Sequence, residues 1–415
     1  MARRKKRIKP WFKTLLFIFA VTLIGTFLCL NFFGNDGKKI TSNNKGSDKP
    51  VQKETKKEYK LSMIMAGDGL LHGAVYKDAK NASGNFDFSN QLEYVKDLIK
   101  DYDIKYWNQE TIFGGTTWPS GKKREYSGYP RFNSPSAFGD DMLKIGFNMV
   151  SLANNHTMDQ YESGVLNSVN YWKTKENLVW NGQADSEEDR LGHIYGEING
   201  IKYAMISYTT STNGLPVPKG KEYLTNFWNA YNPDAFEKYK DTVKSDIEAV
   251  RPNVDVLFVA MHWGVEYTHK PNNNQREIAK FLNDLGVDVI IGCHPHVIQP
   301  IEKIVNEETG KETIVYYSLG NFISNQGDEM KRVGLLGTLN VTKTVDKGNT
   351  TVTIDNVGGE LHYTYYTNNH TNYKVVPFSN PNVGKYVKNY KTMYEKYKKI
   401  ANGGNEEFVI APAYE

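Results

Sequence analysis

An α/β fold with a central, mostly parallel sheet is the architecture this sequence predicts. Three observations predict it: five short apolar runs, their alternation with amphipathic helical stretches, and the polar residues on which the runs end. The runs are LSMIMAGD, YDIKYWNQE, FNMVSLANNH, VDVLFVAMH and VDVIIGCHPH. They are rich in Val, Ile, Met and Phe with little strict alternation, which reads as strands buried on both faces.

The elements follow in order from Leu61, where folded structure is expected to begin. Phe88 to Lys100 places Leu92, Val95, Leu98 and Ile99 on one helical face, with Ser89 as its N-cap. Pro135 to Ile145 precedes the FNMVSLANNH strand in the same way. Gln275 to Leu285 is amphipathic and ends at Gly286, a C′ residue. Strand, helix, strand repeats of this kind build βαβ units around a parallel sheet. KYAMISYT and TIVYYSLGN are two further strands. VGLLGTLNVTKT and TTVTIDNVGG flank Asp346-Lys347-Gly348-Asn349 and read as an antiparallel C-terminal hairpin extension. Beyond Glu360 the Tyr- and Asn-rich sequence carries little functional information.

The N-terminus differs from the rest. Arg3, Arg4, Lys5, Lys6, Arg7, Lys9 and Lys13 precede an uncharged stretch from Thr14 to Phe33, about long enough to span a bilayer. Cations ahead of such a span keep the N-terminus in the cytoplasm and send the remainder outside. A cleaved signal peptide is the alternative, but the apolar core exceeds the usual h-region and no clear small-x-small site follows. A lipobox at Cys29 would want a small residue where Leu28 stands. The expectation is a single-pass signal anchor holding an extracytoplasmic domain at the cell membrane. Residues 34–60 contain only Ile40 and Val51 as aliphatics, too little apolar surface to offset ordering entropy, so they read as a flexible tether. The expected organisation is thus anchor 1–33, linker 34–60, main domain 61–340 and C-terminal extension 341–415.

Of the formal charge of +4, seven cations lie in the first 33 residues, which contain no acid. The remainder holds 44 basic against 47 acidic residues, so the positive charge is topological and no nucleic-acid partner is implied. Cys29 lies in the span and Cys293 outside it, so no disulfide is expected, and Cys293 reads as a buried small apolar residue.

In open α/β sheets ligands gather beyond the carboxyl ends of the strands. There this sequence places Asp68, Glu110, Asn155, His262, His294 and His296. A mixed oxygen and nitrogen set suits Mn, Fe or Zn, and the absence of a cysteine cluster excludes thiolate-rich structural zinc. Six ligands suffice for two divalent ions sharing a bridging carboxylate, an arrangement that binds a phosphoryl oxygen and activates water. His156 follows a ligand and reads as a proton donor, or as a helix-start residue bonded to backbone. Alternation along an extended chain would point His294 and His296 the same way. Asn154 stands beside the site, and His72 could reach it from a helical turn after Asp68 or could be a satisfied non-ligand. Glu266, four residues after His262, could orient a metal-bound imidazole or be solvated. Residues 213–232 could form a lid or a plain surface insertion.

The GDG of 67–69, Asn108-Gln109-Glu110, the RFNSP of 131–135 and the ANNH of 153–156 form an ordered set of motifs. His262-Trp263-Gly264-Val265-Glu266-Tyr267, the QREIAKFLNDLGVDVIIG lead-in, GCHPHVIQ and YSLGNF continue it. Over residues 61–325 the set resembles the CapA-type poly-γ-glutamate capsule synthesis family, which is similar to the calcineurin-like metallophosphoesterases. The resemblance implies a layered α/β sandwich with two metals. Asp68, Glu110, Asn155, His262, His294 and His296 would be the ligands, Glu110 standing where those enzymes carry a bridging Asp, and His156 the proton donor. It also implies poly-γ-glutamate or another anionic envelope polymer, and other capsule-synthesis membrane subunits, as partners. The chain departs from the pattern at Leu70, where the metallophosphoesterases carry a His, and His72 is a possible substitute. Three functions are compatible with this reading: an anchored phosphoester hydrolase or transferase of capsule synthesis or export, a non-catalytic assembly subunit, and a general envelope phosphodiesterase.

Overall fold

The computed structural model describes residues 56–230 and 232–415. The expected span at Thr14–Phe33 lies outside them, as does nearly all of the expected linker. Among the described residues no helix is long and apolar enough to cross a membrane.

The chain begins with β1 (Lys57–Gly69), α1 (Gly73–Asp78), α2 (Glu93–Ile99), β2 (Ile104–Asn108) and α3 (Ala137–Lys144). It continues through β3 (Met149–Ser151), α4 (Tyr161–Lys173), β4 (Val179–Asn181), β5 (Tyr195–Ile198) and β6 (Ile201–Thr209). Then come α5 (Pro233–Val250), β7 (Val256–His262), α6 (Asn273–Asp284), β8 (Val289–Cys293), β9 (Ile298–Val305) and β10 (Glu312–Leu319). A short β11 (Asn321–Ile323) and α7 (Glu329–Arg332) precede the hairpin β12 (Val333–Asp346) and β13 (Asn349–Tyr365). The chain closes with β14 (Lys374–Pro377), α8 (Val383–Tyr386), α9 (Tyr390–Ala401) and β15 (Val409–Ile410).

The layered α/β architecture with a mostly parallel centre is present, its strands divided between two sheets. The first runs β14-β13-β12-β1-β2-β3-β4, with β11 on β1 and β15 on β13; the second runs β5-β6-β7-β8-β10-β9. Each has a parallel centre, β1-β2-β3-β4 or β6-β7-β8-β10, and antiparallel strands beyond it. Met63, Met65, Tyr106 and Met149 pack against Met205, Phe258, Ile291 and Tyr316 in the layer between the sheets. The alternate residues Ile64, Ala66, Trp107 and Val150 meet Val95, Met142, Val165 and Trp172 of α2, α3 and α4. Leu257 and Ile290 likewise meet Val243, Ile247, Ile278 and Leu282 of α5 and α6. Successive side chains of a strand point to opposite faces, and here both faces are buried. This explains the lack of polar alternation in the runs, and it gives a layered α/β/β/α sandwich.

The hairpin turns at Lys347 and Gly348, with φ of 50° and 80°, the left-handed pair of a two-residue turn. β12 runs antiparallel along β1 from Lys57↔Val345 to Met65↔Gly337. Residues 57–60, assigned to the linker, are therefore paired in the sheet, and the boundary drawn at 340 falls inside β12. Polar residues can join a strand when the partner's backbone supplies the hydrogen bonds. Two helix ends also differ from expectation. Asp87 accepts from Ser89 N and Oγ at 3.0 and 2.5 Å, so Ser89 closes a turn and α2 starts only at Glu93. α6 starts at Asn273 because Asn272 and Gln275 form a reciprocal capping box. Gly286 follows it at φ 80°, as its C′ position requires.

Candidate metal centre

Strand register brings the polar residues to one level. Asp68 pairs with Asn108 across β1 and β2, and Asn108 with Ser151 across β2 and β3. In the other sheet Thr209 pairs with His262, and His262 with Cys293. The carboxyl ends of both parallel centres thus present their side chains to one crevice. One close approach makes this possible. A Cβ on Gly67 would lie 1.9 Å from the Gly320 carbonyl oxygen, so only glycine lets β1 and β11 meet and set Asp68 beside Asn321.

Asp68, Glu110 and His296 form the tightest group, all buried, with candidate ligand atoms within 4.8 Å of one another. Asp68 Oδ1 accepts from Asn108 Nδ2 at 2.9 Å, and Oδ2 lies 3.1 Å from His296 Nδ1. Asn321 Oδ1 also lies 3.0 Å from that nitrogen, which turns Nε2 of His296 toward Glu110 at 3.7 Å. A second group also reaches Glu110. His262 Nε2 lies 3.7 Å from Glu110 Oε1, 2.9 Å from Asn155 Oδ1 and 3.2 Å from His294 Nδ1.

Glu110 is the decisive side chain. It is 0% exposed, and neither carboxylate oxygen has a hydrogen-bond partner. A buried carboxylate without a partner costs several kcal/mol, roughly, in real proteins. Burial, and then the nearby Asp68 charge, push its pKa well above the usual carboxylate range. His262 is pushed well below the imidazole range by burial and by its neighbour His294. His294 is lowered to about 3 by burial and then by His296. For His296 burial acts downward, but Glu110 and Asp68 outweigh it and raise the group to about 9. His262 and His294 are held neutral, and His296 takes its proton from the field of Glu110 and Asp68, a charge that a bound divalent cation would replace. Asp68, Glu110 and His296 fit a divalent ion and would hold it, and Asn155, His262 and His294 lie beside them.

The two imidazoles of the HxH do converge, but not by alternation along a strand. β8 ends at Cys293, and His294 and His296 adopt left-handed backbone with φ of 97° and 59°. Such conformations cost about 1–3 kcal/mol each in a non-glycine residue and are retained where the surroundings over-determine them. Cys293 is free and buried.

His156 stands beside the group without joining it. Its Nδ1 lies 2.7 Å from Asp159 Oδ2, which also accepts the Phe132 backbone N–H at 2.6 Å. Asn154 is occupied with the backbone: it donates to Gln109 O at 2.8 Å and accepts from His156 N at 3.0 Å, closing the turn that presents Asn155 and His156. His72 precedes α1 and lies outside the tight group. Its Nδ1 is 3.2 Å from Leu70 O and 3.3 Å from Asn325 N, and burial lowers the ring to about 4. Glu266 approaches His296, at 4.0 Å from Nε2, and not the His262 four residues before it. A cleft of about 480 Å³ opens over these groups, with His72, His156, Glu266 and His296 in its lining. Asn213 and Leu215 line it too, whereas Leu224 and Trp228 of the same insertion are buried in the core. Asn108, Asp159 and Asn321 were not singled out from sequence. Asp159 carried a faint signal in its spacing of three from His156; the other two sat unremarked inside quoted motifs.

With that geometry in place, residues 62–326 match the family described as Bacterial capsule synthesis protein PGA_cap. The chain belongs to this family. The matched PGA_cap stretch runs from the second third of β1 to just past β11 and contains all six candidate ligands. Capsule biosynthesis protein CapA of Bacillus anthracis is 28% identical over 274 residues, covering 65% of this chain and 61% of that one. PGA biosynthesis protein CapA of Bacillus subtilis is 32% identical over 185 residues, 44% of each chain. The alignments thus span less than two thirds of these relatives' lengths. Among solved structures, a putative 5'-nucleotidase from Staphylococcus aureus superposes with a TM-score of 0.42 at 13% identity, over 81% of this chain and 58% of that one. Leu70 of this PGA_cap chain is buried, 2% exposed.

Proposed function

We propose that this PGA_cap protein is a membrane-anchored, extracytoplasmic, metal-dependent phosphoesterase of poly-γ-glutamate capsule synthesis or export. The observation that carries the reading is Glu110, a buried carboxylate with no hydrogen-bond partner and with the imidazoles of His262 and His296 each 3.7 Å from it. Two divalent ions bound there would supply Lewis-acid activation of a phosphoryl oxygen and of water. The chain's own residues account for the rest. Asn108 and Asn321 hold Asp68 and His296 in orientation, as outer partners of metal ligands do. Asp159 fixes the His156 ring by its Nδ1, which leaves Nε2 to deliver a proton to a leaving oxygen in the cleft. The anionic polymer and the other membrane subunits of the capsule machinery are the proposed partners. Wall-stripped cells treated with protease should lose the folded domain; its protection would refute the topology.

A non-catalytic assembly role is the second reading, favoured by Leu70 in the position of a ligand. Turnover of bis(p-nitrophenyl) phosphate by the purified full-length chain separates the two. Chelator-sensitive hydrolysis above buffer is expected of the enzyme. A rate equal to buffer with metals present means a scaffold.

A further inference from the structure

The cleft contains a cation that the metal chemistry leaves unused. Arg131 lies on its wall with His156 and His296. The other arginines among the described residues are committed within the fold: Arg190, Arg251 and Arg276 pair with Asp246, Asp288 and Glu302, while Arg124 and Arg332 donate to backbone carbonyls. Arg131 is exposed and has no carboxylate partner among the described residues; its Nη1 donates to the Tyr161 hydroxyl.

It is nevertheless held in place. Ser127 and Asn133 bridge the base of its turn, and Ser127 Oγ donates to Arg131 O at 2.6 Å. The same Asp159 oxygen that fixes His156 accepts from Phe132 N, so the turn and the proton donor share one anchor. The guanidinium carbon lies 5.1 Å from the centre of the Tyr161 ring. Tyr161, the first residue of α4, has φ of 56°, a strained conformation for a tyrosine.

We propose that Arg131 recognises a second oxyanion on the substrate, a carboxylate or phosphate on the part of the molecule that does not react. The inference rests on the phosphoesterase reading for the location of the reacting phosphate. A guanidinium presents a planar fork of donors to a carboxylate or phosphate, and the Tyr161 contact orients that fork in advance. Glu266 on the same cleft repels such a group from the His296 side, which directs it toward Arg131.

The test is equilibrium binding to the purified, metal-loaded full-length chain. The probes are alkyl phosphates, ω-carboxyalkyl phosphates and alkyl bisphosphates over a series of chain lengths. At one or more lengths the doubly acidic probe should bind about tenfold or more tightly than the alkyl phosphate, the scale of a charged hydrogen-bonded pair. Arg131→Gln should remove that gain while alkyl phosphate affinity and metal content stay unchanged, and Arg131→Lys should retain part of it. Carboxylate and bisphosphate arms identify which oxyanion is preferred. No gain at any length, or a gain that survives Arg131→Gln, overturns the proposal. A gain that depends on Arg131 in a protein without hydrolytic turnover would leave this inference standing and defeat the phosphoesterase reading alone.

Discussion

Glutamine in place of Glu110 is expected to cost the protein at least half of its bound metal and about 10²–10³-fold or more in phosphodiester turnover. Glu110 Oε1 lies 3.7 Å from Nε2 of both His262 and His296, so both proposed ion positions would lose their shared anionic ligand together. The stability of the metal-free protein should change in the opposite direction. Without ions, wild-type Glu110 is a buried acid lacking any hydrogen-bond partner, and its raised pKa means that folding opposes its ionisation. The unfolded state releases that proton at lower pH, so metal-free wild type loses stability as pH rises from the ordinary carboxylate range toward the raised value. A neutral amide does not titrate. The metal-free Glu110→Gln protein should therefore be as stable as metal-free wild type near neutral pH, or more stable by about 1–3 kcal/mol at most, and melt no lower. Calorimetry with and without chelator, alongside metal analysis, reads both effects. A variant with full metal content would show that Glu110 is not a ligand.

Alanine in place of His156 should leave metal content nearly intact and lower turnover by about 10²–10⁴-fold, the range of general acid–base catalysis. The imidazole touches Asp159 and packs edge-on against Phe132 at 4.6 Å, with none of its atoms in the tight ligand group. Asp159→Asn should give a smaller drop, since it loosens the ring without removing it. Steady-state kinetics on a diester with a poor leaving group is the sensitive measurement, because that leaving group needs the proton most. An equal loss of rate and metal in His156→Ala would make the residue structural.

Legibility of the sequence differed from residue to residue for physical reasons. Asp68 and His262 were readable because each ends an apolar strand whose two faces are both covered, so a polar terminus stands out. The HxH was readable in residue type and not in conformation: positive φ at His294 and His296 follows from the tertiary site and not from local preference. Asn108, Asp159 and Asn321 act through contacts with Asp68, His156 and His296 that only the folded chain creates. For Glu266 the sequence leaves open an imidazole partner and a solvated carboxylate, and the folded chain sets it 4.0 Å from His296 Nε2. The division into two sheets was not readable either, because a strand covered by a helix and one covered by a second sheet have the same apolar composition. Turn chemistry was the most reliable local signal, as at Lys347-Gly348 and Gly286.

Anomalous diffraction from crystals of the purified chain, grown with Mn, Fe or Zn available, tests the metal centre most directly. Two peaks per chain are predicted, one among Asp68, Glu110 and His296 and one among Asn155, His262 and His294, with Glu110 contacting both. Crystals from metal-supplied protein showing no anomalous peak within ligand distance of Glu110 would contradict the account.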